Sequence, residues 1–157
     1  MNKRKGKFIE QFNRQGMTLP ELLIAAAILG IAITGMLISY LKCMELNLIS
    51  THMSVATKAA SSRMEQIKAT GFDQVKTDFD AVAFDVGGIN AKGVTYVDDT
   101  VSDFLTITVA VSWKLPNGRL FGEDANLNGQ WDSGEDTISA NSRLDGAVQL
   151  INYIFDE

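Results

Sequence analysis

Twelve residues in the C-terminal third put oxygen on side chains at a regular spacing. Asp124, Asn126 and Asn128 alternate with Ala125 and Leu127, Gly129 and Gln130 follow, and Asp132 and Glu135 close the run. Carboxylate and amide oxygens spaced in this way can wrap around a hard divalent cation such as Ca²⁺, which takes roughly six to eight oxygen ligands. A second group stands near the other end of the chain. Glu21 precedes Leu22–Leu41, twenty residues without a charge. A carboxylate at the lip of such a segment is expensive in lipid, so it asks for a partner. The sequence holds one His and one Cys, with no Ser/His/Asp, Cys/His or metal-catalytic set. Base catalysis has few candidates here, and no enzyme is expected.

The acidic run satisfies the twelve-residue EF-hand loop pattern, with oxygen side chains at places 1, 3, 5, 9 and 12 and Gly129 at place 6 for the sharp turn. The expected ligands are the side chains of Asp124, Asn126, Asn128 and Asp132, the Gln130 carbonyl and both oxygens of Glu135. Asp132 can act through a water, and Asp136 is an alternative last ligand. The flanks read as strand and loop, so an isolated calcium loop is expected and not a helix-loop-helix sensor. Extracellular loops of this class bind at about 10⁻⁴–10⁻³ M. The alternative is a solvated Asn/Gly turn that holds no ion. Asp136–Gly146 echoes the pattern through Asn141, Arg143, Leu144 and Asp145, but without its glycine and spacing; it reads as a decayed repeat with no ion. Trp131 reads as a buried anchor for its own loop or, less simply, as an exposed contact residue.

The elements that must carry these groups begin with the apolar segment. Twenty helical residues rise about 30 Å, the thickness of a bilayer's hydrocarbon core. The chain has 157 residues and a net charge of −5, unevenly divided. Residues 1–16 carry Lys3, Arg4, Lys5, Lys7 and Arg14 against Glu10, while the remainder has nine basic and eighteen acidic groups. A basic flank ahead of an apolar helix orients the start of the chain to the cytoplasm and the C-terminal domain outside. The acidic exported part argues against nucleic-acid binding. Cys43 is the only cysteine, so no disulfide can form within the chain. It reads as a small helix-packing residue, or else as a site of intermolecular bridging or lipid attachment.

An ordinary secretory signal places its small cleavage residues after an apolar region of about 7–15 residues. Here Gly16 comes first, followed by Met17, Thr18, Leu19, Pro20 and Glu21, and then the apolar run through Gly30. This arrangement closely resembles the type IV prepilin signal. The resemblance covers roughly residues 1–45 and implies a filament subunit of the pilin or type II secretion pseudopilin kind. It implies cleavage between Gly16 and Met17 by a prepilin peptidase, N-methylation of Met17, and retention of the apolar helix. It also implies assembly with other pilin or pseudopilin subunits on an inner-membrane platform, through pairing of Glu21 with a neighbour's amine. Met17 stands where Phe is more usual, and Pro20 where an aliphatic residue is usual. Both are compatible with the cut, since Pro in a first helical turn removes an N–H that has no intrahelical acceptor.

The helix is expected to continue from about residue 18 to 70. Apolar residues recur at Leu46, Ile49, Met53, Ala56, Ala60, Met64 and Ile67, steps of three and four that make one face for a sheet. Gly71 reads as its stop, and Gly30 and Gly35 read as points of close helix approach, with local melting as an alternative. His52 is given no role. Residues 72–103 show acidic loops, a Gly87-Gly88 turn and a short strand at Val94–Val97. Leu105–Trp113 alternates as a half-buried strand, Pro116–Gly118 turns, Arg119–Phe121 returns, and Val148–Phe155 is a last strand. The fold class is α+β: a long N-terminal helix on a small antiparallel sheet. The expected organisation is a leader at 1–16, a membrane or filament-core helix at 17–41, and a periplasmic or extracellular domain at 42–157 containing loop 124–135. The leading functional expectation is a filament subunit; the second is a calcium-dependent adhesion or cargo-binding tip subunit of such a filament.

Overall fold

The computed structural model describes residues 17–155 except Ser102. The basic leader and Gly16 therefore lie outside the described residues. The chain is α+β. Helix α1 runs Leu19–Lys68, followed by α2 (Phe72–Phe79) and strands β1 (Val82–Asp85), β2 (Ala91–Asp98), β3 (Phe104–Lys114), β4 (Leu120–Phe121) and β5 (Val148–Phe155). It divides into two compact units between Met44 and Glu45.

In the first unit every described residue is exposed, including Leu22, Leu23, Ile28, Leu29, Ile33 and Leu37. A helix that is apolar all round belongs in lipid or among other helices. By length and composition it can cross a membrane. Gly30 and Gly35 stay helical, with nothing within 4 Å of where a Cβ would stand. Each glycine carbonyl accepts a hydroxyl one turn on, from Thr34 (2.8 Å) and from Ser39 (2.9 Å). The two hydroxyls are thus satisfied without water.

In the second unit, Glu45–Glu157, β3 is the centre of an antiparallel sheet. β2 pairs it on one side and β1 pairs β2; β5 and the short β4 both pair β3. The alternation in β3 works as expected on one face: Leu105, Ile107, Val109, Val111 and Trp113 are all buried in a core with Ala56, Ala60, Met64 and Ile67 of α1. Alanines at 56 and 60, both fully buried, let the helix backbone come close to the sheet. Arg63 adds a polar tie, its guanidinium lying over the rings of Phe79 (4.6 Å) and Phe84 (5.3 Å).

Several expectations are corrected. Leu46 is 65% exposed and Met53 51% exposed, so neither is on the packed face. The buried row runs His52, Ala56, Ala60, Met64 and Ile67, with Ile49 partly buried at its start; His52, given no role, takes the place expected of Met53. Positions 52 and 53 both lie three or four residues from Ile49 and from Ala56, so spacing did not separate them and hydrophobicity picked Met53. Gly71 does not end α1. It sits beyond the Lys68 end in an extended conformation (φ −61°, ψ 144°), at the start of α2. Helix α2 and strand β1 were not anticipated; they lie in the part of residues 72–103 for which only acidic loops were expected.

The upper half of β3 is buried on its second face as well. Val94 and Ala110, paired across β2 and β3, are covered by Leu144, with Tyr96 beside them. Leu144 comes from the segment between β4 and β5, which also carries the oxygen-rich loop. That segment is joined at its base by a bridge between Gly122 and Gly146 and by the Glu123 N–H donating to the Asp145 carbonyl (2.9 Å). Gly146 has no substitute there, since a Cβ would stand 2.4 Å from the β3 backbone at Val111.

Candidate functional sites at the helix start and the oxygen-rich loop

The first turn of α1 is built by Thr18, Pro20 and Glu21. The Leu22 N–H donates to the Thr18 carbonyl (3.1 Å), which makes Thr18 the residue that opens the helix. Glu21 reaches back so that its Oε2 accepts the Thr18 N–H at 3.5 Å. This is the glutamate half of a capping box, and it satisfies one donor that the helix start leaves free. A carboxylate in a first turn is also favoured by the helix dipole. Met17 is exposed immediately before it. Met17 and Glu21 therefore share one helix end, while Gly16 lies outside the described residues. Cys43 is exposed, with its thiol free.

In the second unit the predicted oxygen donors come together in one loop. Asp124 is buried, its Oδ1 accepting the Asn128 N–H (3.0 Å) and its Oδ2 the Gly129 N–H (2.8 Å). Asn126 Oδ1 also accepts the Asn128 N–H (2.9 Å), and Asn128 Oδ1 accepts the Gln130 N–H (2.6 Å). Asp132 Oδ2 takes amide donors from Asn126 (2.8 Å) and Asn128 (2.9 Å). Glu135, buried at the far end, closes the loop by accepting the Ala125 N–H on Oε1 (2.9 Å) and the Asp132 N–H on Oε2 (3.3 Å). Gly129 has φ +73°, and a Cβ there would lie 2.4 Å from the Ala83 side chain. Both the turn and its seat against β1 require glycine.

Whether these residues suit a cation is a question of donor chemistry. Among the described residues, none of Asp124, Asp132 and Glu135 forms an ion pair with Lys or Arg. No three Asp, Glu, His or Cys side chains converge as a metal group among the described residues. The donor set is instead mixed: three carboxylates spread around the loop, two Asn oxygens and a backbone carbonyl. That mixture fits a hard, oxygen-seeking cation and does not suit a transition metal. Trp131 is 43% exposed, so it is not the buried anchor of its loop.

The segment after Glu135 repeats much of this arrangement. Asp136 Oδ1 accepts the Asn141 N–H (3.2 Å) and Oδ2 the Ser142 N–H (2.7 Å), as Asp124 does for Asn128 and Gly129. Asn141 Oδ1 accepts the Arg143 N–H (2.9 Å), as Asn128 does for Gln130. Ser139 donates its hydroxyl to Asp145, as Asn126 donates to Asp132. Ala140 and Ser142 have φ +50° and +59°, matching Leu127 and Gly129 at +57° and +73°. The repeat was legible in part, but one inserted residue hid its register.

The residue that closes the second loop escaped notice in the sequence. It is Glu123, 3% exposed, which precedes the first loop. Its Oε1 accepts the N–H groups of Thr137 (2.6 Å) and Ile138, and its Oε2 accepts the Asp145 N–H (2.9 Å). Glu135 makes the corresponding bonds for the first loop. The signal was the pair of Glu-Asp dipeptides at 123–124 and 135–136, twelve residues apart.

Tyr96 pins the second loop to the sheet, its hydroxyl oxygen accepting the Leu144 N–H at 2.9 Å. Burial pushes the Tyr96 hydroxyl above its ordinary value. A raised folded value favours the neutral form, so this contribution is complete below the usual tyrosine range and is lost as pH rises through the raised value. Tyr96→Phe is expected to cost about 1 kcal/mol, because it leaves the Leu144 N–H without its acceptor. Urea unfolding of both forms at neutral pH measures the difference.

Comparisons with curated proteins and with solved structures returned no match. One family model does match, over residues 11–37, and its description is the prokaryotic N-terminal methylation motif. That span runs from the basic leader through Glu21 and into the exposed apolar helix. This chain carries the prepilin signal of type IV pilins and pseudopilins.

Proposed function

We propose that the chain is a structural subunit of a type IV pilus-like or type II secretion pseudopilus filament. The carrying observation is the methylation motif running directly into a helix whose residues 19–44 are all exposed. Such a motif implies other pilin subunits and a prepilin peptidase as partners, and a structural role in place of catalysis. In this reading the precursor sits in the inner membrane, its basic start in the cytoplasm and its domain from residue 42 onward in the periplasm. The peptidase cuts between Gly16 and Met17 and methylates the new amine. An inner-membrane assembly platform then stacks the apolar helices, and Glu21 pairs with the amine of a neighbouring Met17. Mass spectrometry of the membrane-derived protein tests the first step. The expected product begins at an N-methylated Met17; a product that keeps residues 1–16 in cells with active peptidase sinks the reading.

The loop Asp124–Glu135 is proposed to hold Ca²⁺ through Asp124, Asn126, Asn128, the Gln130 carbonyl, Asp132 and Glu135. Support comes from its mixed oxygen set, the lack among the described residues of any ion pair from Asp124, Asp132 or Glu135 to Lys or Arg, and glycine at the sharp turn. The ion would supply positive charge between carboxylates that are otherwise held only by amides. A second reading is a minor tip subunit that binds a surface or a secreted protein in a calcium-dependent way. The exposed indole of Trp131, on the cation loop itself, favours it. Trp131→Ala should then abolish calcium-dependent capture while leaving filament incorporation intact.

A further inference from the structure

Glu123 and Glu135 each stand one residue before the aspartate that opens a loop, and each carboxylate closes a loop. Glu135 closes the one it ends, 124–135, and its backbone leads straight into Asp136, which organises the next. Glu123 closes that next loop, 136–146, and its backbone leads straight into Asp124, which organises the first. Each glutamate therefore closes one loop and leads directly into the aspartate that organises the other. We propose that the two loops are one conformational unit, latched reciprocally by Glu123 and Glu135, so that a cation held in the first loop also fixes the second and keeps Leu144 seated on the sheet. The cation half of this rests on the calcium reading given above.

The mechanical reason is short. Glu135 and Asp136 are consecutive, so the carboxylate that holds Ala125 and Asp132 and the one that holds the Asn141 and Ser142 N–H groups rest on one stretch of backbone. Glu123 and Asp124 are likewise consecutive, the first carboxylate holding Thr137, Ile138 and Asp145 and the second holding Asn128 and Gly129. The two loops share the Gly122–Gly146 base, and neither has another closure of this kind among the described residues. Segments bound together in this way open as a unit. A cation that draws Glu135 and Asp124 inward restrains both latches at once. What it protects is the patch of Val94 and Ala110 beneath Leu144, which is 2% exposed. Calcium would thus govern whether that sheet face is covered.

Hydrogen exchange on the full chain in detergent micelles tests the proposal. In metal-free buffer, Glu135→Gln should speed exchange about tenfold or more in 136–146 as well as in 124–135. Glu123→Gln should do the same in 124–135 as well as in 136–146. β3 amides should keep their protection in both variants, which shows that the domain remains folded. An effect confined to the loop that each glutamate closes overturns the exchanged latch. In the native chain, added Ca²⁺ should slow exchange in both loops. Slowing in 124–135 alone overturns the cation coupling and leaves the calcium reading standing. No response in either loop removes the calcium reading, while the two variants still decide the latch.

Discussion

Replacing Glu21 with alanine should leave cleavage after Gly16 intact and remove most incorporation into filaments, by about a hundredfold. The argument is electrostatic. Cleavage would place an ammonium on Met17 at the edge of the apolar helix. An unpaired charge there costs several kcal/mol, and about 3 kcal/mol already corresponds to a hundredfold loss. The structure supplies a competing account, because Glu21 also caps its own helix through the Thr18 N–H. Loss of that cap costs only about 0.5–2 kcal/mol. Glu21→Gln separates the two, since an amide oxygen can accept the same N–H but carries no charge. If pairing with a neighbour is the role, Gln fails as badly as Ala. If capping is the role, Gln restores incorporation. Comparing sheared filaments with total processed protein by immunoblot reads the result, and normal incorporation of the Gln form counts against the pairing.

The parts of the fold that were legible in the sequence have strong local periodicity. β3 and β5 alternate over eight residues or more, and α1 carries twenty uncharged residues followed by a regular stripe. The stripe went wrong at Leu46 and Met53 because side-chain type says nothing of which residue a sheet will cover. His52 is buried because its position on the helix demands it. α2 and β1 were missed because Phe72, Val75 and Phe79, and Val82 and Phe84, are too few to set a period. They are ordered by long-range partners instead. Asp80 Oδ1 accepts the Val97 N–H at 2.9 Å, and Arg63 spans the rings of Phe79 and Phe84. At the candidate sites, patterns within one motif were readable: Glu21 stands in the first turn of α1, and the run from Asp124 to Glu135 forms one hydrogen-bonded loop. Glu123 was not, because its partners lie 14 to 22 residues away, on the far side of a loop whose repeat carries an insertion.

Removing calcium should lower the melting temperature of the Glu45–Glu157 unit by roughly 10 °C. An ion bound at about 10⁻⁴ M and supplied at a hundredfold excess stabilises the folded state by about 2.7 kcal/mol, and each kcal/mol moves a domain of this size by about 4 °C. Two substitutions separate the ion from the loop's own hydrogen bonds. Asp124→Ala should abolish the calcium response and also lower the melting temperature in chelator, because the buried carboxylate holds the Asn128 and Gly129 N–H groups. Asp132→Asn should weaken the response while leaving the melt in chelator nearly unchanged. Asp132 is exposed, and its carboxylate takes only the side-chain amides of Asn126 and Asn128. A melt that is the same with calcium and with chelator takes the ion out of the account. The loop would then be held by amide donors alone, with Asp124 and Glu135 as caps on backbone N–H groups and Asp132 as acceptor for the two asparagine side chains. The Asp132→Asn result discriminates most sharply, because a residue that matters only when calcium is present has been identified as a ligand by its conditional effect.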